Sequence, residues 1–219
     1  MTDFIVPFCE EQVSILYADE QIVVANKPSG LLSVPGKNPL NKDCLITRVQ
    51  GQFEDALIVH RLDMDTSGVM VLARGKANLS LLSRQFQERQ TQKQYLAWVY
   101  GLVEEDAGEV NLALRCDWPN RPKQMVDHEL GKPSLTRFEV LERVPERMQT
   151  KVLLTPVTGR SHQLRVHMAQ LGHPISGCEF YAHEKALKQA SRLQLHAWKL
   201  SFTHPTSGVL MTQIAPEVF

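Results

Sequence analysis

The sequence is short of several features that would place a protein at once. Its four cysteines, Cys9, Cys44, Cys116 and Cys178, lie far apart, and none belongs to a Cys-x-x-Cys pair. That spacing argues against a zinc site and against a disulfide framework, and suits a reducing compartment. No basic residue precedes Lys27 and no long apolar stretch opens the chain, so no secretory leader is expected. No apolar run approaches the roughly 18 residues of a membrane span. Together these absences point to a soluble, cytoplasmic protein. Familiar catalytic words are missing too. Gly36-Lys37 and Gly131-Lys132 lack the earlier glycine of a phosphate loop. Thr66-Ser67-Gly68 lacks the Gly-x-Ser-x-Gly frame of a nucleophile elbow. His162, His167 and His173 are spaced by five and six residues, which scatters them around a helix, and no nearby carboxylate completes a metal set.

Net charge is also absent: 24 basic residues balance 24 acidic ones, which by itself speaks against a nucleic-acid partner. The distribution says otherwise. Residues 1–26 carry five acids and no base, leaving the remainder at +5. Between Asp65 and Glu104 the only acid is Glu88, against Arg74, Lys76, Arg84, Arg89 and Lys93. From Lys151 to Cys178 there is no acid at all. Such zones can form a polyanion-binding face, or can simply be solvated surface.

What is present is an ordinary globular composition, 43% hydrophobic and 22% charged over 219 residues, long enough to bury a real core. One domain is expected, with residues 1–12 as an N-terminal extension. Apolar runs at Val13–Tyr17, Gln21–Asn26, Leu57–Val59, Val69–Ala73, Gln94–Tyr100, Glu109–Leu114, Thr136–Leu141, Lys151–Thr155, Leu193–Thr203 and Gly208–Ile214 read as strands. Helices are expected from Asp43, as the cap, to Val49, and at Lys76–Gln90, Ser161–Leu171 and Glu184–Ala190. Strands outnumber helices and many are joined by short turns. An α+β fold results, with a largely antiparallel mixed central sheet flanked by helices.

The stretch richest in chemistry is Ile58–Gly68, where a strand stops at His60-Arg61 and a polar turn separates it from the next strand. Asp63 sits there, near a strand end and between two rigid elements, where catalytic groups tend to be placed. A carboxylate kept ionised in such a place needs a cation. The block Thr158–His167 offers one: Arg160-Ser161 opens a helix whose first turn has free N–H groups suited to phosphate, and Arg165 lies one turn on. Tyr95 is a strand aromatic that could stack on a base or pack in the core.

These words, in this order, resemble the RluA family of pseudouridine synthases. The matching segments are Asn26–Gly36, His60-Arg61-Leu62-Asp63 with Thr66-Ser67-Gly68, Lys93–Ala97, Thr158-Gly159-Arg160 with His162–Arg165, Leu171–Ile175 and Leu195-His196-Ala197. The resemblance implies the pseudouridine synthase catalytic fold and an isomerase that converts uridine to pseudouridine within RNA, using no cofactor and no metal. It implies that Asp63 is the essential carboxylate, that Arg165 holds it ionised, and that Tyr95 stacks on the flipped base and helps remove the carbon 5 proton. Arg61 would enter the space the base vacates, beside His60. Arg160 and His162 would meet RNA, with Lys76, Arg84, Arg121 and Lys123 also serving phosphates. The segment Cys116–Gln124 resembles the founding member, which modifies both large-subunit ribosomal RNA and the anticodon stem-loop of some transfer RNAs. Trp118, Asn120, Arg121 and Lys123 would then clasp a stem-loop. The family words begin too early to leave room for the S4 RNA-binding domain of larger relatives, and a monomer is expected. One departure stands out: the family has Gly-Asp after Pro-Ile-x, and here Gly177 precedes Cys178. A non-catalytic RNA-binding or RNA-chaperone module and a histidine-based metal hydrolase stay open as alternatives.

Overall fold

The structure is a computed structural model that describes residues 4–219. Residues 1–3 of the expected N-terminal extension lie outside the described residues. The chain divides into two compact units: one formed by the chain up to Lys93 with Ala197–Val218, the other by Gln94–His196 with Phe219.

In the first unit, β1 (Ser14–Ala18) and β2 (Ile22–Lys27) form an antiparallel pair, and β2 pairs in turn with β4 (Ser67–Arg74). The turn between β1 and β2 is closed by Asp19, whose Oδ1 accepts the N–H groups of Gln21 and Ile22, both at 2.8 Å. β3 (Ala56–Ile58) also pairs with β4. β11 (Leu195–Thr203) lies on the other side of β4 and carries β12 (Leu210–Ile214). Every residue of β4 from Ser67 to Ala73 is buried, which explains its unbroken Gly-Val-Met-Val-Leu-Ala run. Gly68 is required by geometry: its φ is +121°, and a Cβ there would lie 2.2 Å from the Ala197 carbonyl oxygen of β11.

α1 (Leu45–Gln50) and α2 (Gly75–Gln87) pack on this sheet. The cap of α1 is Cys44, whose N–H donates to Thr47 Oγ1 at 3.1 Å, and not Asp43 as expected. Asp43 instead forms a two-pronged ion pair with Arg48 at 2.6 and 2.7 Å. The same guanidinium donates to the carbonyls of Cys9 and Glu11, tying the N-terminal segment down.

In the second unit, the antiparallel order is β5 (Gln92–Tyr100), β10 (Gln149–Pro156), β9 (Leu135–Val144), β6 (Ala107–Asn111). From Thr150 on, β10 alternates buried and half-buried residues, the period-2 signature of a strand with one face in the core. That core joins Ala97, Val99, Val152 and Leu154 of the strands to Leu164, Met168 and Cys178. α3 (Gln163–Gln170) lies against β6, β9 and the short β8 (Gln124–Val126), and α4 (Glu184–Leu187) is a single turn. The expected strand over Glu109–Leu114 is broken: β6 ends at Asn111, and Leu114 begins a separate hairpin of β7 (Leu114–Cys116) and β8 (Gln124–Val126). An Arg115–Asp127 ion pair at 2.5 Å closes its base.

Candidate active site

The loop that bears Asp63 is fixed one residue at a time by the segment Lys27–Ser33. Ser33 Oγ accepts the Leu62 N–H at 3.1 Å and donates to the Leu62 carbonyl at 2.8 Å. The Met64 carbonyl accepts from the Lys27 ammonium at 2.8 Å and from the Gly30 N–H at 3.0 Å. Ser29 Oγ donates to the Asp65 carbonyl at 2.7 Å. The Thr66 N–H turns back onto the Asp63 carbonyl at 3.2 Å. Both neighbours of Asp63 are therefore anchored, and its half-buried side chain is set by a backbone with little freedom to drift.

Lys27 organises this arrangement. It is fully buried, a costly place for an ammonium unless its protons are matched. It donates to the carbonyls of Pro28, Leu31 and Met64 at 2.7–2.8 Å. The chain thus curls around its own lysine, helped by Gly30 at φ +80°, and the third donor reaches across to the loop of Asp63. The sequence shows this word plainly, but nothing in it says that the lysine faces inward.

His60 and Arg61 part company. Arg61 is exposed. The His60 ring accepts the Val71 N–H at Nε2 over 3.1 Å and stacks on Phe86, with centroids 4.4 Å apart. Burial, with a smaller contribution from the nearby Lys93 charge, pulls its pKa down to about 3, so the ring is neutral at physiological pH. Lys93 is itself lowered, by burial and then by Arg89.

In the second unit, Tyr95 is half-buried on β5 and packs against the core cluster. Arg165 is almost wholly buried on α3. Its Nε donates to Cys178 Sγ at 3.3 Å, and its Cζ lies 5.1 Å from the Phe180 ring centroid and 5.6 Å from that of Tyr181. The departure at Cys178 therefore touches a candidate site residue directly: a sulfur stands against the guanidinium. Tyr181 Oη accepts the Gln124 N–H at 2.8 Å and lies 2.6 Å from His162 Nδ1.

The start of α3 differs from the expected one. His162 adopts φ +52°, in the left-handed region, so the helix begins at Gln163 and Ser161 lies outside it. The turn before it is stapled from within. Gln163 Oε1 accepts from the Thr158 hydroxyl and the Arg160 N–H, while its amide donates to Leu135 O and Thr136 Oγ1. The Arg160 N–H expected for phosphate is thus engaged by the protein, and the Arg160 Nε reaches Pro133 O at 3.4 Å. The three histidines have separate partners: Tyr181 for His162, Thr136 Oγ1 for His167 at 2.9 Å, and the Tyr100 carbonyl for His173 at 2.9 Å.

Residues 117–123 form the tip of the β7–β8 hairpin. Asp117 and Lys123 are joined through backbone at 3.0 Å, and the Asn120 side chain donates to Asp117 Oδ2 at 2.9 Å. Above this ordered turn, Trp118 is 66% exposed and the Arg121 guanidinium stacks on it at 4.0 Å. A flat aromatic with a stacked cation is a surface on which a nucleobase can lie.

A model of the RNA pseudouridylate synthase family matches residues 21–170. The chain belongs to that family. It is 56% identical over 197 residues to the dual-specificity RNA pseudouridine synthase RluA of Yersinia pestis, covering 90% of this chain and 95% of that protein. It is 53% identical over 210 residues to the RluA of Escherichia coli K12, covering 96% and 95%. Among solved structures, the human RNA pseudouridylate synthase domain containing 1 matches with a TM-score of 0.80 and 31% identity, over 96% of this chain and 86% of that one.

As a pseudouridine synthase the protein is an isomerase acting on RNA. The expected α+β pseudouridine synthase fold is the one found. The pinned loop holds the Asp63 carboxylate in a rigid setting. Three features escaped the sequence reading. Lys27 and Ser33 were quoted within a family word but given no task. Tyr181 carries no mark in the sequence of its contacts with Gln124 and His162. The word Asn26–Gly36 marks a turn around Lys27 but does not say that its ammonium is buried.

Proposed function

We propose that this enzyme isomerises uridines in two classes of structured RNA, large-subunit ribosomal RNA and the anticodon stem-loop of some transfer RNAs. The dual specificity for which its relatives are named and the ordered Trp118–Arg121 stack support that reading. Each target uridine must leave its stack before carbon 5 can be reached, at a cost of a few kcal/mol. Arg61, exposed beside the Asp63 loop, fills the space left behind and stacks on the neighbouring bases.

Asp63 attacks or otherwise assists departure of the base from its sugar; the base turns and is rejoined through carbon 5, so no atom is gained or lost. Arg165 keeps that carboxylate ionised, and Tyr95 stacks on the base and helps take the carbon 5 proton. The chain works as one catalytic domain, a monomer without metal or cofactor. The observation that carries this reading is the fixing of both backbone neighbours of Asp63 by Ser33, Lys27, Gly30 and Ser29. Phosphate contacts come from Arg160, His162, Arg121 and Lys123 and supply affinity more than specificity.

The test of the substrate claim is to map pseudouridines in cellular RNA with and without this protein. Loss of one site in ribosomal RNA and of one in transfer RNA anticodon loops is expected. Loss confined to one RNA class would overturn the dual assignment, and an unchanged map would overturn both halves.

A further inference from the structure

Arg165 and the exposed hairpin are separate features of the second unit, yet one hydroxyl lies between them. Tyr181 Oη accepts the N–H of Gln124, the first residue of β8, at 2.8 Å, and lies 2.6 Å from Nδ1 of His162. His162 is the cap of α3, held in a left-handed conformation that a non-glycine residue adopts at some cost, and Arg165 sits in the first turn of that helix. The Tyr181 ring packs edge-on against His162 with centroids 5.6 Å apart, and the Arg165 Cζ lies over it at 5.6 Å. The tyrosine therefore touches all three parts: the hairpin just below its tip through its oxygen, the cap of α3 through the same oxygen, and the guanidinium through its ring.

We infer that Tyr181 is a positioning residue that couples engagement of RNA by the 117–123 hairpin tip to the placement of Arg165. The inference rests on the reading that puts the hairpin on RNA and Arg165 in the chemistry. When a stem-loop closes on the Trp118–Arg121 stack, β8 shifts or stiffens as a unit with its tip, because the Arg115–Asp127 ion pair and the backbone bonds of residues 117–123 hold it together. The Gln124 N–H carries that change to the Tyr181 hydroxyl, and the hydroxyl carries it to the residue that fixes where α3 begins.

Tyr181→Phe removes the hydroxyl and keeps the ring, so packing against the core and against Arg165 persists. The coupling is read from a double-mutant cycle with Trp118→Ala, measuring kcat and KM for pseudouridine formation in a target stem-loop. Three results are expected. Trp118→Ala alone raises KM and lowers kcat. Tyr181→Phe alone lowers kcat by about tenfold, the effect of a barrier change the size of one or two hydrogen bonds. In the Tyr181→Phe background, Trp118→Ala still raises KM but lowers kcat no further.

If the two effects on kcat simply multiply, the tyrosine is only a packing residue and the inference fails. If Trp118→Ala changes neither constant, the placement of RNA on the hairpin has failed, and unchanged turnover in Arg165→Lys marks failure of the catalytic assignment. His162→Asn gives the same test from the other side of the hydroxyl, since asparagine tolerates the left-handed conformation. It repeats the loss in kcat if the coupling runs through the cap, and leaves kcat unchanged if it does not.

Discussion

A histidine that stays neutral in the folded protein makes stability depend on pH, and His60 allows the size of that dependence to be worked out. Its ring accepts a backbone N–H from Val71 and stacks on Phe86, and its pKa falls from 6.5 to about 3. Below pH 6.5 the unfolded chain takes up a proton that the native state refuses, so the contribution is complete above 6.5 and is lost as pH falls toward 3. At pH 5 the unfolded histidine lies about 1.5 units below its pKa, which at 1.36 kcal/mol per unit is about 2 kcal/mol. That figure hardly depends on the folded value, because pH 5 is already well above it. Lowered carboxylates such as Asp19, Asp43 and Asp127 exert their pull below their ordinary pKa of 3.8, outside the window from 7.5 to 5. His167, lowered by burial, works in the same direction as His60 and makes the parent slope steeper. The assay is urea unfolding at pH 7.5 and pH 5 for the parent and for His60→Gln. The variant should lose about 1 kcal/mol at pH 7.5, from the lost ring stack. Its further loss on going to pH 5 should be smaller than the parent's by up to about 2 kcal/mol. An equal loss in both proteins would refute the account of His60.

Other parts of the scaffold give sharper effects. Lys27→Met keeps the length of the side chain but strips donors from the carbonyls of Pro28, Leu31 and Met64. Urea melts should show a loss of roughly 2–4 kcal/mol, with no loss at all arguing that the ammonium is not buried as described. Gly68→Ala places a Cβ 2.2 Å from Ala197 O at φ +121°, and should cost at least about 3 kcal/mol or prevent folding. A melting temperature equal to the parent's would contradict the close approach of β4 and β11. Replacing residues 117–123 with a short glycine turn should weaken binding of a target stem-loop and flatten its salt dependence while the fold survives, since the tip carries Arg121 and Lys123 but no core residue. Unchanged affinity in a filter-binding titration would remove the hairpin from the RNA-binding surface.

Much of this was written in the chain. The runs around Val69–Ala73, Gln94–Tyr100 and Lys151–Thr155 became β4, β5 and β10 because continuous or alternating apolar residues leave a strand few other choices. The Asp63 segment was legible because it interrupts two such runs. What stayed hidden depends on long-range partners. A left-handed His162, which moves the start of α3 past Ser161, has no clear sequence mark, since a histidine adopts that conformation only as an exception. Cys44 displaced Asp43 as the cap of α1 because Asp43 had a better partner in Arg48. β7 and β8 are three residues each, too short to show a period. Whether a charged side chain is buried, as Lys27 and Arg165 are, depends on which carbonyls, rings and thiol surround it, and those come from distant parts of the chain.

The proposed chemistry turns on the carboxylate of Asp63, and Asp63→Asn tests it with almost no change in shape. The measurement is release of tritium from a target stem-loop labelled at uridine carbon 5, alongside binding of the same RNA. The variant should bind the RNA within a few-fold of the parent and release tritium at least about a thousandfold more slowly. Release at the parental rate would contradict the role given to Asp63 and, with it, the reason for the pinned loop.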